Sequence, residues 1–432
     1  MRKKMKLLAL LISLLMVFAF VGCEAEDPAD SADGGEENGS AEEQGEEQAE
    51  SDVHEIYTIE DSYALSGVTN PDIASRDHIY KALDTVEDAE MPIHVGFDIN
   101  TLGNPFFVYL HDAMEDYAEE FGYEITITIN EFNSTTQSAN IESLITQDVD
   151  VLIVDPNETH AAGVDVARAV EAGIPVIGVG VAMEADVPHI TTIQANSYLN
   201  GFENGQHLAE QYDPEEEIEG FVIHGGMGHP VSEGRGNGML SGLVYGRMMQ
   251  MDSNTVKEDA MLRGYELWLD VRNNGTASDE ELGIHIVGSG NGSWTDEGGL
   301  SIGEDLLSAN PEVDFVLASN DFMSMGFMRA AESIGLEDVN IIAPADGSQE
   351  AMELIKEGRL LSTGYNSPAY LALKTMELVQ MIFEEGFDAS NMRRDTNLPA
   401  IAIHEGNVDE FYDPDYPFAK PTAEFEFETL DD

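Results

Sequence analysis

The chain has 432 residues, 42% of them hydrophobic, which is enough for one large or two medium domains with sizeable cores. Its 84 acidic and 19 basic residues give a formal charge of −65, so binding to nucleic acid or an anionic lipid surface through that face is excluded for want of Lys and Arg. One cysteine excludes a disulfide framework and a Cys-based metal site.

The chain opens with Arg2, Lys3, Lys4 and Lys6, followed by an apolar run from Leu7 to Val21. These are the n-region and h-region of a signal peptide, too short and wrongly flanked for a membrane span. The run ends in Phe20-Val21-Gly22-Cys23, and small residues before a lone Cys resemble a bacterial lipobox. That resemblance implies cleavage after residue 22 and a lipid anchor on Cys23.

Residues 24–61 hold 16 acidic residues and no Lys or Arg, with Ser, Gly, Gln and Ala between them up to about Ser51. Such a segment cannot bury a core, and its like charges extend it, so 23–61 reads as an acidic disordered tether. Past residue 61 the chain keeps 68 acidic and 15 basic residues, a formal charge of −53, and only five of those basic residues are Lys. A surface of this kind suits a salty medium that screens its self-repulsion.

Residues 62–90 form a weakly patterned N-terminal extension with one helix expected around Ile79–Val86. From Met91 strand and helix signals alternate. Strands are expected at Ile93–Ile99, Glu124–Ile129, Val149–Val154 and Ile174–Val179, with helices at Phe106–Phe121, Ser138–Thr146 and His160–Glu171. A second series follows: a helix at Ser197–Gln211, a strand at Gly220–His224 and a long helical region to about Asn273. Then come strands at Ile284–Gly288, Val313–Ala318, Asn340–Pro344 and Leu360–Tyr365, with helices at Leu300–Ser308, Ser324–Ile334, Gln349–Glu357 and Ala369–Phe383. This is too many strands for one comfortable sheet. Two α/β lobes with parallel sheets, covered on both faces, fit the length.

The ends of the strands carry distinctive residues: INTLGNPFFVYL at 99–110, AGIPV at 172–176, Ser319-Asn320-Asp321, Ala345-Asp346-Gly347 and GRLLSTGYNSP at 358–368. In this order the sequence resembles the ribose-binding-protein-like, type I periplasmic solute-binding proteins of ABC importers, over about Met91 to Ile403. The resemblance implies two Rossmann-like lobes joined by a three-strand hinge, with crossings near Asn196, Asn366–Pro368 and Leu398–Ala400. The first lobe is then 91–196 plus 367–398, and the second 197–366 plus 399–420. Residues 421–432 remain as an acidic tail.

Ligands of open α/β sheets bind beyond the carboxyl ends of the strands. Sugar hydroxyls need directional donors and acceptors, and sugar C–H faces suit flat aromatic rings. Carried onto matching positions, the resemblance suggests Asn104, Phe106 and Phe107 on the first loop, with Asn100 nearby. On the other lobe it suggests Arg235, Trp294, Asn320, Asp346 and Asn366. Phe106, Phe107 and Trp294 would stack, and the others would bind hydroxyls. Bland readings stand beside these. One of the phenylalanines fits a core position, Asn320 with Asp321 fits a helix cap, and Asp346 before Gly347 fits a turn. Arg263-Gly264-Tyr265 rivals Arg235 as the aligned arginine, and the 243–281 stretch is longer than the family needs.

One departure matters. After Ile174–Val179 the ribose binders carry an Asp-Arg pair that grips hydroxyls, where this chain has Gly180 and Val181. Ribose itself is therefore in doubt, and Met183 or Glu184 are candidates to compensate. The resemblance implies no cofactor and no metal, ABC importer permease subunits as partners, and a monomer. A signalling receptor of the same fold, presenting a sugar or autoinducer-like cue to a membrane sensor, is the alternative. Gly299-Leu300-Ser301-Ile302-Gly303 matches a hydrolase pattern, but a polar loop precedes it rather than a strand. His224 and His229 as metal ligands have only chance acidic company.

The charge excess predicts that the thermal midpoint of the domain rises as salt is raised from low to molar concentration. A midpoint independent of salt would rule out the halophilic reading.

Overall fold

The computed structural model describes residues 54–61, 63–68, 83–86, 89–184, 186–336, 338–427 and 429. The signal peptide, Cys23 and the acidic stretch through Val53 lie outside the described residues. Of the helix expected at 79–86, residues 83–86 are described and form a single turn, with Val86 N donating to Leu83 O.

The first lobe runs β1 (His94–Ile99), α1 (Pro105–Phe121), β2 (Glu124–Ile129), α2 (Ser134–Thr146), β3 (Val151–Val154), α3 (Thr159–Glu171), β4 (Val176–Val179) and β5 (Thr192–Ala195). The β3 and β4 strands are buried throughout, as continuous apolar runs in a covered parallel sheet must be. Helix α1 has Asn104 as its cap and Pro105 in its first turn, and ends on Gly122 at φ 80°. Strand β5 was not expected because its sequence, TIQA, is polar. It is nonetheless buried, since Thr192 bonds His189 and Gln194 bonds Asn397.

The chain then enters the second lobe through α4 (Ser197–Ala209). It continues through β6 (Ile218–His224), α5 (Pro230–Met251), α6 (Lys257–Asn274), β7 (Ala277–Asp279) and β8 (Ile284–Asn291). Next come α7 (Asp296–Ala309), β9 (Phe315–Ala318), α8 (Asp321–Ile334), β10 (Asn340–Ala343), α9 (Gln349–Lys356) and β11 (Ser362–Gly364). Helix α10 (Pro368–Phe383) and β12 (Asp395–Leu398) return to the first lobe, while β13 (Ala402–His404) and α11 (Val408–Phe411) lie on the second. The sheets have the orders β12-β5-β4-β3-β1-β2 and β13-β11-β10-β9-β6-β8-β7. All pairings in the first sheet are parallel, whereas the second has antiparallel edge strands in β13 and β7.

The glycine-rich run at 234–242 has a packing cause. Helices α4 and α5 touch backbone to backbone. A Cβ on Gly205 would collide with the Met239 carbonyl, and Cβ atoms on Gly238 and Gly242 would collide with those of Tyr198 and Phe202. The long stretch after Leu243 supplies the rest of α5, then α6, whose Trp268 ring packs over Gly236, and then β7 as an edge strand on β8. Gly264 of α6 approaches Ser241 so closely that no side chain fits.

Of the expected tether only residues 54–61 are described, and they pack on the fold, as do residues 421–427 of the expected tail. Residues 54–68 lie on the second lobe, with Ile56 and Ala64 fully buried among α4, α5 and α6. Asp61 meets Arg272, Asn237 Nδ2 donates to Ala64 O at 2.7 Å, and Asn196 Nδ2 donates to Gly67 O at 3.1 Å. The acidic composition concealed a short apolar motif, Ile56-Tyr57, that the second lobe buries. Residues 421–427 are no free tail either. Tyr370 on α10 donates to Ala423 O, and Phe425 and Phe427 pack against the first lobe's core. Among the described residues no helix is long and apolar enough to cross a membrane.

Ile56→Ala should lower the unfolding free energy by about 2–5 kcal/mol through lost transfer energy and a residual cavity. The same truncation at exposed Val256 should change little. Equal denaturation midpoints for the two variants would show that the 54–61 segment does not pack.

Candidate functional site

The carboxyl ends of the central strands carry the candidate residues. On the first lobe β1 leads into Asn100, which is 3% exposed, and then Asn104, Phe106 and Phe107 at the start of α1. Asn104 accepts the Phe106 N–H at 2.8 Å and so shapes the turn that presents the two rings. Phe106 and Phe107 are half-buried and meet edge to face, with centroids 5.4 Å apart. Phe107 also meets Phe132 at 5.8 Å. Phe106 reaches Phe418 of the second lobe at 6.0 Å, and Phe418 pairs with the backbone of Ser348. The aromatic pair thus lies where the lobes approach each other.

On the second lobe five candidates form one connected cluster. Arg235, in the second turn of α5, donates to Ser319 O at 2.9 Å and lies 3.9 Å from the Asp346 carboxylate. Asn366 Nδ2 donates to Asp346 Oδ1 at 3.1 Å. Trp294 places its ring 5.8 Å from the Arg235 guanidinium, and its carbonyl accepts from Asn320 Nδ2 at 3.3 Å. Asn320 also caps α8 by accepting the Met323 N–H, so the cap reading and the cluster membership hold together. Arg263 is held by Asp279 and Glu281, which leaves Arg235 as the arginine of this cluster.

Local backbone makes room for the indole. Ser293 and Trp294 both adopt left-handed φ, at 51° and 63°, with Asn291 Oδ1 accepting the Ser293 N–H. Non-glycine residues hold such angles only where their surroundings fix them. A Cβ on Gly225 would fall inside the Trp294 ring system, so the loop after β6 needs glycine there.

Charge in the cluster is buried. The Asp346 carboxyl is raised to about 7, chiefly by burial, against the pull of the Arg235 charge beside it and with a further push from nearby Asp321. Burial also raises Asp321, whose carboxylate is held by Thr363 Oγ1 and the Ser348 N–H. His229 falls to about 4 through burial and the Arg235 charge, and His224 is lowered by burial. Both histidines are therefore neutral at neutral pH.

Asp155 has no motif around it in the sequence, and His224 stands out there only as a metal candidate. Asp155, directly after β3, is 1% exposed. Its position alone, a carboxylate at the end of an apolar strand, was the available signal. His224 ends β6 in the same way. Met183 and Glu184 do not take the place of the absent Asp-Arg pair: Met183 is buried in the first lobe's core and Glu184 is held by His160. Ser301 is exposed on the second turn of α7, away from any strand-to-helix turn. Asn100 Oδ1, Asp155 Oδ2, His224 Nδ1, Arg235 Nε and Ser319 Oγ are buried without a protein hydrogen-bond partner. Buried polar atoms are normally paired, so these unpaired ones at the strand ends of the two lobes set the place apart.

The raised Asp346 carboxyl gives a pH test. Its folded pKa exceeds the unfolded value, so relative to Asp346→Asn the wild type holds its advantage below about pH 4. It loses that advantage as pH rises through about 7 and changes no further above. Chemical denaturation of both proteins across this range checks the slope. A pH-independent difference would contradict the buried-pair geometry.

A family model described as a periplasmic binding protein domain matches residues 95–386. The ribose import binding protein of Salmonella typhimurium is 24% identical over 287 residues, 66% of this chain and 83% of that protein. Its Bacillus subtilis counterpart is 26% identical over 63% of this chain and 76% of its own length. An ABC transporter solute binding protein from Bacillus halodurans, solved with bound myo-inositol, covers 74% of this chain and 96% of its own at 23% identity, with a TM-score of 0.59. A galactofuranose binding protein covers 74% of this chain and 97% of its own at 18% identity, with a TM-score of 0.60. At these identities the solved structures speak to the fold alone. The family match covers most of the chain, which therefore belongs to the periplasmic binding protein domain family as a ribose-binding-like, type I member.

Proposed function

We propose that the protein captures a sugar or sugar-like small molecule between its lobes and delivers it to the permease subunits of an ABC importer. It acts outside the cytoplasm, as a monomer held to the membrane by a lipid on Cys23. The carrying observation is the buried set at the strand ends, where Arg235, Asp346 and Asn366 offer paired hydroxyl contacts beside the flat face of Trp294. Asn100, Phe106 and Phe107 supply the opposing wall from the first lobe. The ligands named for similar proteins, ribose, myo-inositol and galactofuranose, are all polyhydroxylated, which supports the class. Gly180 and Val181 remove the polar grip expected for ribose, so this cleft discriminates differently.

Binding favours the closed arrangement because only there do both walls touch the ligand. Neutral His224 and His229 can each donate or accept one hydrogen bond, and the Arg235 guanidinium only donates. The permanent positive charge in the second wall is therefore confined to Arg235.

Thermal unfolding of the soluble domain from residue 54, in high salt, against pentoses, hexoses, polyols and nucleosides tests the reading. A ligand at about 100 times its dissociation constant adds roughly 2.7 kcal/mol and raises the midpoint by degrees. Asp346→Ala should abolish that shift. A folded protein that responds to no sugar or polyol would sink the proposal. A responding protein whose deletion leaves uptake of the labelled ligand intact would turn the reading towards a signalling receptor.

A further inference from the structure

Resting on the cleft reading above, we propose that the ligand carries a protonated amine and that the Asp155 carboxylate of the first lobe receives it. The first wall holds two carboxylates, Asp98 and Asp155, and they are not alike. Asp98 is saturated by neutral donors: Thr128 Oγ1 at 2.7 Å, Asn140 Nδ2 at 2.8 Å, and Asn130 Nδ2 and Gln137 Nε2 at 2.9 Å. Its charge is built into the lobe. Asp155 sits beside it, 1% exposed, with Oδ2 unpartnered. Hydrogen bonds from Asn100 are the favourable contacts to its ionised form.

Among the described residues no cation reaches Asp155. Arg168, Lys374 and Arg394 of the first lobe are engaged with Asp165, Glu377 and Asp395. Arg235 feels Asp346 and Asp321, on its own lobe. The sequence also clears the space around Asp155. Gly180 follows β4 at φ 80°, and a Cβ there would lie 3.3 Å from Asp155 Oδ1. A side chain at 180 would crowd the carboxylate, and Val181 beyond it brings no charge.

A desolvated carboxylate next to a second one, with no counter-ion among the described residues, is costly to keep ionised. Burial and the Asp98 charge push its pKa well above the ordinary range. A neutral hydroxyl offers it one hydrogen bond but no charge to offset Asp98. An ammonium group on the ligand offers a charge-assisted hydrogen bond and cancels the repulsion from Asp98 at once. The two walls then divide the work. The second grips hydroxyls through Arg235 and Asp346, and the first selects the nitrogen.

The test uses matched probes: D-glucosamine, D-galactosamine, D-mannosamine and 1-amino-1-deoxy-D-sorbitol, each against its hydroxyl parent, by titration calorimetry on the intact domain at pH 7. The expected result is at least a tenfold preference for the amino member of the pair that binds. Asp155→Asn, which keeps the shape, should erase that preference and bring the amine and its hydroxyl parent to equal affinity. A hydroxyl parent that binds as well as or better than its amine in the wild type overturns the amine proposal and leaves the sugar reading standing. An amine preference that persists in Asp155→Asn overturns the assignment to Asp155. If no member of either series binds, the amine proposal is overturned, and the sugar-like reading is decided on the wider panel above.

Discussion

Arg235 and Asp346 lie against each other out of water, and much of the second lobe serves to make that tolerable. Removing two charges from solvent costs several kcal/mol for each ion unless every remaining donor and acceptor is met. Here Ser319 O and Asn366 take part of the demand. Asp321 is held by Thr363 and Ser348, so a second carboxylate stands nearby in a fixed place. Farther out, Glu233 of α5 accepts from the Trp268 indole at 2.8 Å and the Gly228 N–H at 2.7 Å, and lies 3.2 Å from Arg272. The helix that presents Arg235 is thereby fixed in rotation. Arg235 Nε stays unpaired in this arrangement.

The same constraint explains the glycines of α5. To bring the first turns of α5 to the ends of β6 and β9, α4 and α5 must approach at backbone distance, which only residues without a side chain permit. Residues 54–68 then seal the outer side of this pair, with Asp61 on Arg272 closing the chain that starts at Glu233. The segment beyond Phe418 does the matching job on the first lobe, where Tyr370 and the Phe425–Phe427 pair hold it. The cleft between the lobes is left to three connections, at 195–197, 364–368 and 398–402, where the chain leaves one sheet for the other.

The two walls differ in how they manage charge. The second balances a cation against carboxylates within itself. The first concentrates carboxylates, one saturated by amides and a hydroxyl and one not. That asymmetry arises at residues of unlike visibility. Asp346 stands before a glycine in a recognisable loop, whereas Asp155 is one letter at the end of VLIVDP. Strand and helix positions were legible because apolar runs and helical spacing are local properties. Strand β5 and the packed ends of the chain were not, because TIQA, Ile56-Tyr57 and Phe425–Phe427 are polar or isolated in sequence and are buried by partners far away in the chain. The site was half legible. Residues with a motif around them, from Asn104 to Asn366, could be named, while His224, Asp155 and Glu233 gained meaning only from what they touch.

By itself the sequence determined the alternation of strand and helix, the split into two α/β lobes and the side of the sheets where polar residues gather, because hydrophobic periodicity and strand-end composition are written locally. Tertiary structure alone decided which arginine faces Asp346, which carboxylate is saturated and which is left open. Those outcomes depend on desolvation and on hydrogen-bond partners contributed by segments distant in the chain, and no window of sequence contains them.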